Sequence, residues 1–250
     1  MPRIPLIAGN WKMHTTIGEA TALAKSIVTA STNLTDRQVM LAPPFTALAA
    51  VAEIINGSSI ILGAQNICWA PQGAFTGEIS PTMLKDLCVT MAIVGHSERR
   101  HIFSETDELI NRRLKGALAQ DIVPIFCIGE QLAEREAGKT MDVLERQLRQ
   151  GLKDISLHSA DQLVVAYEPV WAIGTGKTAS PAQAQEAHTF IRQILMSVFE
   201  KSVASQIRIL YGGSVNPETM TALMLQKDID GALVGGAALQ PDSFSRIIHF

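Results

Sequence analysis

The chain is expected to fold as an α/β protein, a single-domain (β/α)8 barrel, on three observations. Eight short apolar runs recur along its 250 residues, starting near positions 4, 38, 60, 91, 122, 163, 207 and 231. The runs are continuous rather than alternating, as in parallel strands covered on both faces. Their mean spacing is about 31 residues, the length of a strand–helix repeat. An open dinucleotide-binding sheet is the competing architecture, but no GxGxxG follows the first run. No linker or low-complexity stretch divides residues 1–250, so they form one domain.

The elements follow in order. "IPLIAG" is the first strand, and an amphipathic pattern over 18–30 is the first helix. "QVMLAP" precedes a helical pattern over 46–55, and Asn56–Gly57 then reads as that helix's C-terminus rather than a hairpin turn. "IILGAQ" is third, and after it Ser80 before Pro81 places an N-cap ahead of a first-turn proline. "MAIVGH" runs into "SERR", a short helix, and then a helical pattern over 106–119. "IVPIFCIG" is followed by a helix over 141–153, and "LVVAYEP" by one over 182–199 that Ser180 and Pro181 open. "IRILYGG" leads to Asn216–Pro217–Glu218, a third cap of this kind, and "GALVGG" closes the set.

The composition, 47% hydrophobic and 18% charged, allows a large core. A net charge of −3 offers no basic face for nucleic acid or an anionic membrane. Cys68, Cys88 and Cys127 are odd in number and lack CxxC spacing, which argues against a disulfide framework or zinc site and for reduced thiols in the cytoplasm. The opening "MPRIPLIAGNWK" lacks the features of a signal peptide, and no stretch is long and apolar enough to span a membrane.

In a (β/α)8 barrel the active site lies where the strands end. Strand one is followed by Asn10, Trp11 and Lys12, and strand four by Gly95, His96, Ser97 and Glu98. Strand six ends on Glu168, strand seven runs into Gly212, Gly213 and Ser214, and strand eight into Gly235 and Gly236. One carboxylate, one imidazole, one ammonium and two glycine-rich turns would share a mouth. Such a set is no metal-ligand cluster, so no metal is expected.

At these positions the sequence resembles the triosephosphate isomerase family, the TIM barrel enzymes, along its whole length. "AGNWKM", "GAQN", "GAFTGE", "VGHSERR", "CIGE", "YEPVWAIGTGKTA", "YGGSVNP" and "GALVGGAAL" occur in that order. The resemblance implies a glycolytic, cofactor-free isomerase that interconverts glyceraldehyde 3-phosphate and dihydroxyacetone phosphate through an enediol. It implies Glu168 as the base, and a strand-end carboxylate that loses water is a stronger base than in bulk solvent. It implies His96 as electrophile and proton shuttle, kept neutral by the helix N-terminus it precedes, a worked case of tuned acidity in this family. Lys12 and Asn10 are expected to attract and place the phosphorylated substrate, the resemblance puts Glu98 in support of Lys12 or His96, and Arg99 is expected to make a structural ion pair. Gly213, Ser214, Gly235, Gly236 and Gly174 are expected to bind phosphate through backbone N–H groups and a hydroxyl.

Pro169, Val170, Trp171, Ala172, Ile173, Gly174, Thr175, Gly176 and Lys177 read as a lid with glycine freedom and apolar sealing surface. The 68–79 segment is long for a strand–helix loop and carries Trp69 and Phe75, which are expected to be exposed. The resemblance docks it into a second subunit, with Thr76 near the partner's Asn10 and Lys12, giving a homodimer. His14, where many members carry asparagine, lies near that contact; the other histidines read as surface or packing residues. A phosphosugar isomerase for a larger substrate is disfavoured by the lid, and a silent phosphate-binding barrel by the presence of both Glu168 and His96.

Overall fold

A computed structural model describes residues 3–173 and 179–250. Eight parallel strands close into a barrel in sequence order. They are β1 (Leu6–Asn10), β2 (Gln38–Ala42), β3 (Ile61–Ala64), β4 (Met91–Val94), β5 (Val123–Ile128), β6 (Val164–Tyr167), β7 (Arg208–Tyr211) and β8 (Gly231–Val234). Pairing of Leu6 with both Gln38 and Gly231 closes the ring. The helices are α1 (Ile17–Ala30), α2 (Leu48–Ile55), α3 (Pro81–Asp86), α4 (Ser97–His101), α5 (Asp107–Leu118), α6 (Leu132–Glu136), α7 (Thr140–Gly151), α8 (Pro181–Val198), α9 (Lys201–Ala204), α10 (Pro217–Met224) and α11 (Pro241–Ile248).

The strand period of two explains the continuous apolar runs. Leu6, Ala8, Met40, Ala42, Met91, Ile93, Ile125, Cys127, Val164, Ala166, Leu210 and Leu233 fill the barrel interior. The alternate residues, such as Ile7, Val39, Leu41, Val165 and Ile209, pack outward under the helices. On β3 the interior position is Gly63, and a Cβ there would collide with the end of the Met40 side chain. Gly63 therefore makes room for the bulk that β2 projects across the barrel.

The cap signals hold. Ser80, Ser180 and Asn216 each accept a backbone N–H three residues on, ahead of a first-turn proline. Asn56 is the C-cap of α2, and Gly57 follows at φ +78°, the left-handed region that favours glycine. The short helices α6, α9 and α11 carry no signal singled out in the sequence. No helix among the described residues is long and apolar enough to cross a membrane.

Candidate active site at the strand ends

Strand ends bring Asn10, Lys12, His96, Glu168, Ile173, Gly213, Ser214, Gly235 and Gly236 around one cavity of about 240 Å³. Asn10 closes β1, and its Oδ1 accepts the Lys12 N–H at 3.0 Å. That bond helps hold Lys12 at φ +53°, a left-handed conformation that costs a residue with a Cβ. Gln65, at the end of β3, donates to the Lys12 carbonyl at 2.8 Å and to the Ala42 carbonyl at 2.9 Å. The Lys12 ammonium lies 2.6 Å from Glu98 Oε1. A Cβ on Gly235 would stand 3.3 Å from Lys12 Cε, so the lysine stem runs along bare backbone.

The β4–α4 turn supplies the imidazole. Gly95, at φ +73°, reverses the chain, and Arg100 binds its carbonyl at 2.8 Å. His96 then caps α4, and its Nδ1 accepts the Glu98 N–H at 3.2 Å. Nδ1 is thus the acceptor and Nε2 carries the proton, facing Glu168 Oε1 at 2.9 Å. The other carboxylate oxygen accepts the Ser97 N–H at 2.8 Å. Glu98 Oε2 lies 3.4 Å from His96 Nδ1, which has no proton to give it while it accepts the Glu98 N–H, so the Glu98 carboxylate pairs with Lys12; Arg99 pairs with Glu105 at 2.8 Å.

Glu168 is 2% exposed and His96 6%. Burial alone would raise the carboxylate's pKa, but His96 and the Ser97 N–H outweigh it and hold Glu168 below the ordinary carboxylate value. Burial likewise opposes charge on the ring, but Glu168 outweighs it and holds His96 above the ordinary imidazole value. Both directions differ from the sequence expectation of a strengthened base and a purely neutral ring. The cause is mutual pairing: each group satisfies the other in this arrangement.

The backbone under Glu168 is tightly specified. Glu168 N–H donates to the Ile128 carbonyl at 2.7 Å, and Gly212 N–H to the Tyr167 carbonyl at 2.7 Å, so the ladder runs past the strand ends on both sides. A Cβ on Gly129 would overlap the Glu168 carbonyl. Gly129→Ala should therefore destabilise the fold by about 1–3 kcal/mol through overpacking. Chemical denaturation measures this, and an unchanged midpoint would show that the β5 end yields freely.

Five residues of the expected lid are described, and Gly174, Thr175, Gly176 and Lys177 lie outside the described residues. Val170–Ala172 form a 3₁₀ turn after Pro169, and Ile173 lines the cavity. Trp171 Nε1 donates to Glu130 Oε1 at 2.9 Å, and the Arg135 guanidinium sits 4.4 Å from the Trp171 ring centre. Trp171 thus ties the turn after β6 to Glu130 and Arg135. Glu130 is fully buried and also accepts from Tyr167 Oη at 3.1 Å. Its "CIGE" motif carries the family resemblance, but nothing in the sequence marked Glu130 or Gln65 as site residues.

The 68–79 segment differs in one respect from expectation: Trp69 is half-buried. Arg112 lies 4.3 Å from the Trp69 ring centre, Phe75 packs edge-on at 5.1 Å, and Gly116 leaves room for the Trp69 backbone. Cys68 N–H donates to the Ile79 carbonyl at 2.8 Å, closing the loop's base. Residues 71–77, Thr76 among them, remain exposed.

Comparison with known proteins agrees with this geometry. The family model described as triosephosphate isomerase matches residues 5–250. A triosephosphate isomerase of Syntrophotalea carbinolica is 53% identical over 99% of this chain and 98% of its own length. That of Endomicrobium trichonymphae is 52% identical over 99% of both chains, and that of Dictyoglomus thermophilum 47% identical over 98% of this chain and 99% of its own. With barrel, strand-end residues and full-length relatives in agreement, the chain belongs to the triosephosphate isomerase family.

Proposed function

We propose that the whole chain, residues 1–250, acts as one catalytic domain that interconverts glyceraldehyde 3-phosphate and dihydroxyacetone phosphate. The observation that carries this reading is the pairing of Glu168 and His96 at 2.9 Å, in a small cavity shared with a lysine and bare glycine backbone. Glu168 removes the proton from the carbon beside the carbonyl, and the electron pair moves onto the carbonyl oxygen. The His96 Nε2–H and the Lys12 ammonium stabilise the charge that develops there. His96 passes a proton between the two oxygens of the enediolate, and protonated Glu168 returns its proton to the neighbouring carbon.

Gly213, Ser214, Gly235 and Gly236 hold the phosphate, with Gly174 contributing from the lid, while Asn10 and Lys12 orient the three-carbon chain. About 240 Å³ is below the usual 300–1,000 Å³ of ligand pockets, which suits a three-carbon phosphate better than a larger sugar. The segment 169–177 closes over the intermediate and keeps out water, which would otherwise let the enediolate expel phosphate and give methylglyoxal. A coupled assay of the purified protein with glyceraldehyde 3-phosphate tests the reading. A folded protein without turnover would leave a phosphate-binding barrel in its place.

The active form is a homodimer built through the 68–79 loop, with Thr76 set against the partner subunit beside Asn10 and Lys12. A groove of about 410 Å³ supports this, since it opens next to Asn10 and Lys12 and is lined by Met13, Phe45 and Phe103. Met13 is 94% exposed and Phe103 64%, large apolar side chains that a partner loop would cover. Thr76→Arg should shift sedimentation from dimer to monomer and lower activity. A fully active monomeric parent would remove the loop from this role. The free thiols Cys68, Cys88 and Cys127 support a reducing, cytoplasmic setting.

A further inference from the structure

Gln147 lies on α7, outside the barrel and away from the cavity lining, yet it is 4% exposed. Its amide is committed to one residue. Oε1 accepts the Gly129 N–H at 2.8 Å, and Nε2 donates to the Gly129 carbonyl at 3.2 Å.

The reason lies in the parallel ladder. Successive residues of a parallel strand turn their N–H and C=O groups to opposite neighbours. The carbonyls of Ile128 and Glu130 accept from Glu168 and Val170, so residues 128 and 130 pair with the chain that carries Glu168. Cys127 and Gly129 therefore face the β4 side. But β4 ends at Val94, and the chain turns away at Gly95. Two side chains continue the ladder in its place. Arg100 Nη2 binds the Cys127 carbonyl at 3.0 Å, and Gln147 takes both polar groups of Gly129.

We infer that Gln147 is a positioning residue for proton transfer, holding the base and the lid stem in register through the Gly129 peptide. The inference rests on Glu168 being the base. Gly129 lies so close to the Glu168 carbonyl that no Cβ fits between them, so rotation of its peptide moves the Glu168 main chain. The next residue, Glu130, carries the carboxylate that binds Trp171 and Tyr167. Without the Gln147 amide, the Gly129 N–H and C=O lose both partners and the peptide rotates to find others.

The test compares the whole protein with Gln147→Leu and Gln147→Glu, the second keeping the acceptor toward Gly129 N–H but not the donor. Turnover, KM and inhibition by inorganic phosphate are measured on folded protein of unchanged oligomeric state. Gln147→Leu should lower kcat by about 10- to 100-fold, the scale of a small misplacement of a reacting group. Gln147→Glu should fall between it and the parent. Phosphate inhibition should weaken by no more than about threefold, because Gly213, Ser214, Gly235 and Gly236 sit at the ends of β7 and β8 and only the proposed contribution of Gly174 comes from the lid. A kcat within about threefold of the parent would overturn the inference. So would a parallel loss of phosphate affinity, which marks general loosening, or a failure of both variants to fold. An inactive parent would instead overturn the functional reading beneath it.

Discussion

Replacing Glu168 with glutamine should lower kcat by about 10²–10⁴-fold, the usual contribution of a positioned base, and leave the fold intact. Glutamine keeps the shape and one acceptor for the Ser97 N–H, which now binds Glu168 Oε2 at 2.8 Å. Its amide cannot take a proton from carbon. KM should change little, because among the described residues Gly213, Ser214, Gly235 and Gly236 make no hydrogen bond to this side chain, whose partners are Ser97 and His96. His96 loses the carboxylate that does most to hold its pKa up, so burial pulls the ring toward its neutral form. The variant therefore separates the two proposed roles: the imidazole stays in place while the carboxylate is removed. A rate within tenfold of the parent would take Glu168 out of the mechanism.

Much of this was legible in the chain itself, for a physical reason. Parallel strands buried on both faces read as unbroken apolar runs, so "LVVAYEP" announces both a core strand and the charge that ends it. Asn10, Lys12, His96 and Glu168 stand at such ends, where a barrel concentrates its chemistry. The residues that hold them were not legible. Gln65 fixes the Lys12 carbonyl from 53 positions away, and Gln147 fixes Gly129 from α7. Their partners are backbone groups brought close only by closure of the barrel, and a glutamine in a sequence carries no mark of that use. Glu130 was hidden for the opposite reason. It looks like one more charge before an acidic helix, yet it is fully buried under Trp171 and Tyr167. The electrostatics were half legible: burial of Glu168 could be inferred, but the pairing that outweighs it needs the 2.9 Å contact with His96.

The second large effect belongs to Lys12. Among the described residues lining the cavity it is the one fixed cation, and Glu98 and Glu168 both stand nearby. A phosphorylated triose approaching without it would bring negative charge toward two carboxylates. One ammonium about 4 Å from a unit anion is worth about 4 kcal/mol at an effective dielectric constant of about 20, close to 10³-fold. Lys12→Met should therefore lower kcat/KM by about 10³-fold, with KM rising as well as kcat falling, unlike Glu168→Gln. Methionine is unbranched at Cβ, so the left-handed backbone at φ +53° is no more strained than with lysine, and Asn10 and Gln65 still hold it. The loss is then one of charge rather than of fold. Added salt separates the two further: it should weaken substrate capture in the parent and matter less in the variant, whose attractive charge is gone. If Lys12→Met kept kcat/KM within tenfold of the parent, the ammonium would be serving Glu98 rather than the substrate, and attraction of the phosphate would have to come from the glycine-rich backbone alone.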